Sequence, residues 1–148
     1  MIKKLLLITF ISLVGCQSIP IVRPEIVSNM NTATILIYRE PAFNSAAGSL
    51  YFGEGEKTYA SLSNGEYTEI QISAGQHNFN VTARASQPFQ FNADLKPNTK
   101  NCIKAYADPA NIAKTLIPIL FNLTNIFKAD LVSCPNEQFL KDYFKVSM

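Results

Sequence analysis

The sequence predicts a mainly β protein, an antiparallel β-sandwich of about eight short strands with a helical insertion before the last strand and a C-terminal helix. Three observations predict it. Apolar and polar residues alternate over runs of about four to eight, as in strands with one face in a core. Turn signals rich in Gly and Asn separate these runs every 8–12 residues or so. Two late stretches break the alternation and carry apolar residues at helical spacing instead.

The strands follow in order. Thr34–Arg39, TILIYR, is apolar almost throughout, as a strand covered on both faces requires, and Pro41 ends it because proline cannot donate to a ladder. Gly48–Gly53, GSLYFG, is a short second strand with glycine at each end, and Glu56–Ser63, EKTYASLS, is a third. Asn64 and Gly65 come next; both accept positive φ, so the pair predicts a tight hairpin into Tyr67–Ser73. In this fourth strand Ile70 and Ile72 share one face, and Glu69 and Gln71 the other. Ala74-Gly75 turns the chain into His77–Ala83, with Phe79 and Val81 inward and Asn78, Asn80 and Thr82 outward. Pro88–Leu95 repeats the alternation through Phe89, Phe91, Ala93 and Leu95. Asn101–Ala107 and Lys128–Cys134 complete the set.

Parity along the last two strands bears on the cysteines. Cys102, Lys104 and Tyr106 share a face, as do Asp130, Val132 and Cys134. Antiparallel pairing of these strands therefore brings Cys102 and Cys134 together, and a disulfide is expected in an oxidising compartment.

Asn136–Val146 predicts the C-terminal helix, with Phe139, Leu140, Tyr143 and Phe144 on one stripe and Pro135 suited to its start. Pro109–Phe127, PANIAKTLIPILFNLTNIF, predicts the helical insertion. Asp108 caps it, Pro109 fits its first turn, and Pro118 kinks or splits it. Ile112, Leu116, Ile119, Leu120, Leu123 and Phe127 form a wide apolar face. That face either closes one open side of the sandwich as a lid or docks an envelope protein partner.

The chain opens with Lys3 and Lys4, an apolar run from Leu5 to Leu13, and the small residue Gly15. This is secretory signal architecture, and the run is too short to cross a bilayer as a helix, which takes about 20 residues. Leu13–Cys16, LVGC, resembles the lipobox of bacterial lipoproteins. The resemblance implies removal of residues 1–15 and a diacylglycerol on the Cys16 thiol. Several acyl chains hold a protein to a bilayer far more firmly than one. Gln17 stands where an Asp would retain such a protein at the inner membrane in many Gram-negative bacteria, so the outer membrane, facing the periplasm, is expected. Residues 16–32 read as a tether, and 33–148 as the sandwich domain.

Charge excludes one class of partner. Of 13 basic residues, Lys3 and Lys4 fall in the leader, which leaves the rest equal in number to the 11 acids. Without a run of Lys and Arg, nucleic-acid binding is excluded. With one His, and no Cys-x-x-Cys or His-x-x-His spacing, neither a metal nor another cofactor is expected.

From Ala33 to Ala107 a pattern emerges in ATILIYRE…GSLYFGEGEKTYASLSNGEYTEIQISAGQHNFNV: a strand ending in Tyr-Arg, a Leu-x-Asn-Gly-x-Tyr turn, then an apolar strand into Ala-Gly-Gln-His. It resembles a domain of unknown function in small bacterial lipoproteins, similar in layout to PEGA-type β-sandwich domains. The resemblance implies an envelope lipoprotein and brings no catalytic residues with it.

Candidate chemistry is sparse. His77 is the sole histidine, and a catalytic histidine needs a nucleophile or acid converging on it. Glu54, Glu56, Glu66 and Glu69 cluster in sequence; paired carboxylates perform glycoside hydrolysis, but charges at turns and strand edges also keep a sheet soluble. Tyr51, Tyr59, Tyr67 and Tyr106, with Arg39 and Arg84, would suit a glycan or peptide if one face gathered them. The expected function is a membrane-anchored, non-enzymatic binding or scaffolding module. A small-ligand or glycan binder using the tyrosines is the alternative, with a hydrolase behind it.

Overall fold

The computed structural model describes residues 18–27, 31–42, 48–112 and 124–147. Among these, nine strands form two sheets packed face to face. They are β1 (Thr32–Arg39), β2 (Leu50–Glu54), β3 (Lys57–Leu62), β4 (Glu66–Ser73), β5 (Gly75–Thr82), β6 (Phe89–Leu95), β7 (Lys100–Ala107), β8 (Phe127–Val132) and β9 (Phe144–Lys145). One sheet has the order β8-β7-β1-β4-β9 and the other β3-β2-β5-β6.

All eight strands read from the alternation are present. The five-stranded sheet is mixed, however, and not purely antiparallel. β1 pairs antiparallel with β4 but parallel with β7, and β9 runs parallel to β4. A parallel neighbour needs a long crossover, and here β2 to β6 lie between β1 and β7.

The turn at Asn64-Gly65 also differs from its reading. β3 pairs with β2, and β4 pairs with β1, so Asn64-Gly65 carries the chain from one sheet to the other instead of closing a hairpin. Gly65 has the positive φ expected of it, 73°. Around the turn, Asn64 Oδ1 accepts from Ala42 N at 2.9 Å and Glu66 Oε2 accepts from Ser63 N at 2.6 Å. Ala74 likewise links β4 of one sheet to β5 of the other. The tight hairpin lies instead between β2 and β3, where Glu54 faces Lys57 and Gly55 has φ 59°. One register step along this hairpin is bulged between Phe52 and Gly53.

The inward faces meet in one core. Ile35 and Ile37 of β1, Leu50 and Phe52 of β2, Phe79 and Val81 of β5, Ile103 of β7 and Phe127 of β8 all belong to it. Each buried Ile, Leu or Phe contributes about 1.5–3 kcal/mol of transfer free energy. Phe127, read as the end of the helical insertion, is the first residue of β8 and 2 % exposed. Arg39 is fully buried at the end of β1. Its Nη1 donates to the carbonyls of Gly48 and Leu62, the latter at 3.0 Å, and its guanidinium lies 4.7 Å from the Phe127 ring centroid.

The outer face of the five-stranded sheet has a cover of its own. Leu36, Tyr38 and Cys102 form a second buried cluster, packed by Leu140 and Tyr143. This explains why β1 is apolar in both directions. The covering segment is not the helix expected over Asn136–Val146. Only α2 (Glu137–Leu140) is helical, capped by Asn136 Oδ1 accepting from Phe139 N at 2.8 Å. Beyond it the backbone pairs with the sheet edge: Phe144 N donates to Gly65 O and Val146 N to Tyr67 O, both at 2.9 Å. An open strand edge offers those N–H groups partners that a second helical turn would forgo.

At the insertion, the described residues include the helical stretch α1 (Pro109–Ile112). Asp108 caps it as expected, with Oδ1 accepting from Ala110 N at 3.1 Å. Leu116, Leu120 and Leu123 lie outside the described residues, as does Cys16. The stretch read as a tether is docked over part of its length. Ile21 bridges Thr58 of β3 in parallel, and Val22 N donates to Thr58 O at 2.8 Å.

Candidate functional site

Strand alternation and register together gather aromatic residues on the outer face of the five-stranded sheet, with Tyr38 buried among them. On β1 the outward residues include Tyr38, on β4 Tyr67 and Glu69, and on β7 Lys104 and Tyr106. The register sets Tyr38 beside Tyr67 on one flank and Lys104 on the other. The α2 segment then lays two more rings on the sheet. Tyr143 and Phe139 each meet Tyr38 edge-on at 5.6 Å, and they stack on one another at 5.1 Å. Lys104 lies over the Tyr106 ring at 5.4 Å.

A groove of about 520 Å³ opens beside these rings, between Tyr67 and Tyr143 and a rim of Glu69, Lys100, Lys141 and Lys145. Lys100 Nζ donates to Glu69 Oε1 at 2.6 Å. That hydrogen bond holds the Glu69 carboxyl below its ordinary pKa, partly opposed by burial. Burial raises the Tyr38 and Tyr143 phenols above their ordinary pKa. Flat rings beside lysines and a carboxylate suit stacking and hydrogen bonding to a polyhydroxylated or peptide ligand.

The buried cluster against which Tyr67 and Tyr143 pack includes one end of a cross-link. Cys102 and Cys134 have their sulfurs 2.01 Å apart and their Cα atoms 5.0 Å apart, within disulfide geometry. The partner of Cys102 across the ladder is Val132, and Cys134 follows just past the end of β8. The pair is thus a diagonal one on the shared face, tying β7 to the segment that leads into α2.

The tyrosines and arginines singled out in the sequence do not share one face. Tyr67 and Tyr106 do belong to the surface just described. Tyr51 belongs to the other sheet, and Tyr59 is 5 % exposed in the core. Arg39 is fully buried, and Arg84 sits in the exposed β5–β6 turn. Tyr38 and Tyr143 were missed. The signal for Tyr38 was its parity with Leu36, legible only once the register with β4 is known.

His77 does gather partners. Its Nδ1 faces Glu54 Oε2 at 3.1 Å, its Nε2 faces Ser73 O at 2.9 Å, and its ring stacks on Phe79 at 5.1 Å. Ser73 offers a carbonyl here and not its hydroxyl. Glu54 also accepts from Asn78 N at 3.0 Å and from Tyr59 Oη at 3.4 Å. Both imidazole nitrogens are engaged, which fits a clasp joining β2, β3 and β5 better than a base aimed at a substrate. The clustered carboxylates are split by the topology: Glu54 ends β2 in one sheet, whereas Glu66 and Glu69 lie on β4 in the other. Among the described residues no group of three or more His, Cys, Asp or Glu is placed to hold a metal ion. No helix among them is long and apolar enough to cross a membrane.

No protein-family model and no curated protein sequence matches this chain.

Proposed function

We propose that this chain is a lipid-anchored lipoprotein of the Gram-negative envelope, held by acyl chains on Cys16, whose sandwich domain is a non-enzymatic binding or scaffolding module. The outer membrane, facing the periplasm, is the proposed site, and the domain is PEGA-like in layout. The observation that carries the module reading is the groove between Tyr67 and Tyr143: an aromatic surface on a sheet braced by Cys102–Cys134. LVGC after its charged and apolar leader carries the anchor. The insertion that begins at Pro109 is proposed either as a lid on the sandwich or as a second contact, for an envelope protein partner, with its last residue, Phe127, given to the core.

Two experiments test this. Cys16→Ser should abolish labelling with radioactive palmitate and leave the leader uncleaved; a variant that still matures and stays with the membrane refutes the anchor. Crosslinking from Tyr67 in intact cells should capture a partner that Tyr143→Ala loses. Binding of a purified glycan instead, lost in Tyr67→Ala and Tyr143→Ala alike, would favour the glycan-binding alternative.

A further inference from the structure

Seven large apolar residues are exposed among the described residues, and four of them fall in one short stretch: Ile21, Val22, Ile26 and Val27, the last 89 % exposed. That stretch is ordered against the domain. Val22 is bonded to Thr58, as described above. Val27 N donates to Ser73 Oγ at 3.2 Å, Ser73 Oγ donates to Glu25 O at 3.3 Å, and Lys57 pairs with Glu25 at 3.4 Å. It forms a strap from the edge of β3 to the β4–β5 crossing, with apolar side chains at both ends facing water. An ordered backbone that presents such side chains forgoes the gain of burying them unless something covers it.

Chain length identifies the cover. Only Gln17 to Pro20 separate Ile21 from Cys16, so a lipid on Cys16 keeps the Ile21 Cα within roughly 17 Å of the anchored residue. The headgroup zone of one leaflet, about 5–7 Å deep, takes up part of that reach. A fully free tether through residue 32 would have held the domain well clear; the docked strap does not. We infer that the Ile21–Val27 strap lies flat on the leaflet that holds the Cys16 lipid, an inference that rests on the lipid anchor proposed above. Lying flat is the one orientation that brings both apolar ends to the interface. Arg23, between them, then meets lipid phosphates, while Glu25 is engaged by Lys57.

The chain contains no tryptophan, so a single introduced one reports depth cleanly. Ile21→Trp, Val27→Trp and, as a remote control, Leu131→Trp would be purified in the processed, lipid-bearing form. Each would be reconstituted in phosphatidylcholine vesicles whose acyl chains carry bromine. The expected result is a blue-shifted emission for Ile21→Trp and Val27→Trp, quenched several-fold more than Leu131→Trp. Quenching of Ile21→Trp alone means that the strap stands upright, and overturns the inference. Equal quenching at all three positions, or at none, in protein shown by mass to carry lipid on Cys16, overturns it and leaves the anchor intact. Protein that carries no lipid on Cys16 overturns the anchor and this inference together.

Discussion

Replacing Arg39 by Ala probes the least expected residue of the core. Its burial is complete, and its guanidinium bridges the start of β2 and the end of β3 through the Gly48 and Leu62 carbonyls. Burial lowers its pKa from the ordinary value, and the nearby Glu66 charge works in the other direction. Three losses follow the substitution. The Leu62 carbonyl is buried and keeps no donor from Arg39, which costs about 1–3 kcal/mol; Gly48 is exposed, so water replaces the donor there. The cation–π contact with Phe127 forfeits about 0.5–2 kcal/mol. The cavity left by the side chain adds about 1–2 kcal/mol once the neighbours relax. The sum is about 2.5–7 kcal/mol, a large share of the ~5–15 kcal/mol typical of a whole domain. Arg39→Met fills most of the volume and leaves no charge in the core, so it should cost clearly less than Arg39→Ala. The assay is urea unfolding of the oxidised protein followed by tyrosine fluorescence, with midpoints compared at unchanged slope. A loss under about 1 kcal/mol for Arg39→Ala would refute the bridging role. Arg39→Met costing as much as Arg39→Ala would show that hydrogen bonds, not packing, dominate.

Three further outcomes are expected. A Cβ on Gly53 would lie 1.9 Å from the Lys57 carbonyl oxygen, so Gly53→Ala should lower the thermal midpoint sharply while Gly48→Ala, with nothing nearby, leaves it unchanged. Reducing Cys102–Cys134, 32 residues apart in sequence, should cost about 3–4 kcal/mol in the chain-entropy account, and thiol labelling of unreduced protein should find neither cysteine reactive. Burial, aided by the Glu54 charge, pushes the Tyr59 phenol up to about 12. Its neutral form is therefore favoured by the fold: the contribution is complete below the ordinary value of about 10 and is lost as pH rises through about 12, so an absorbance titration should show a late step near 12 that Tyr59→Phe diminishes.

Alternation made the eight long strands legible, because an inward Ile or Phe at every second position has no other economical use. Asn64-Gly65 was legible as a turn but not as a crossing, since φ preference says that the chain reverses and nothing about which sheet receives it. The parallel β1–β7 pairing had no local signal at all. Phe139 to Phe144 carries apolar residues that suit a helical stripe, and only the open edge at Gly65 and Tyr67 favours extension there. Arg39 ends an apolar strand where an exposed charge would be the ordinary expectation. The groove was half visible: Tyr67 stood out, whereas Tyr143 joins it from a distant segment and covers Tyr38, which is buried.

The position of β1 has a consequence for how the chain folds. The hairpins β2–β3 and β5–β6 close over short loops and form early. β1 finds β4 later, yet its other edge stays open until β7 is available, after every strand between has been made. Until then a strand apolar on both faces presents unpaired N–H and C=O groups, the kind of edge that recruits other chains. A chain that emerges from its N-terminus, as in synthesis, passes through that state each time. Its yield should therefore depend on a holding chaperone more than its final stability would indicate, and chains truncated before Lys100 should aggregate.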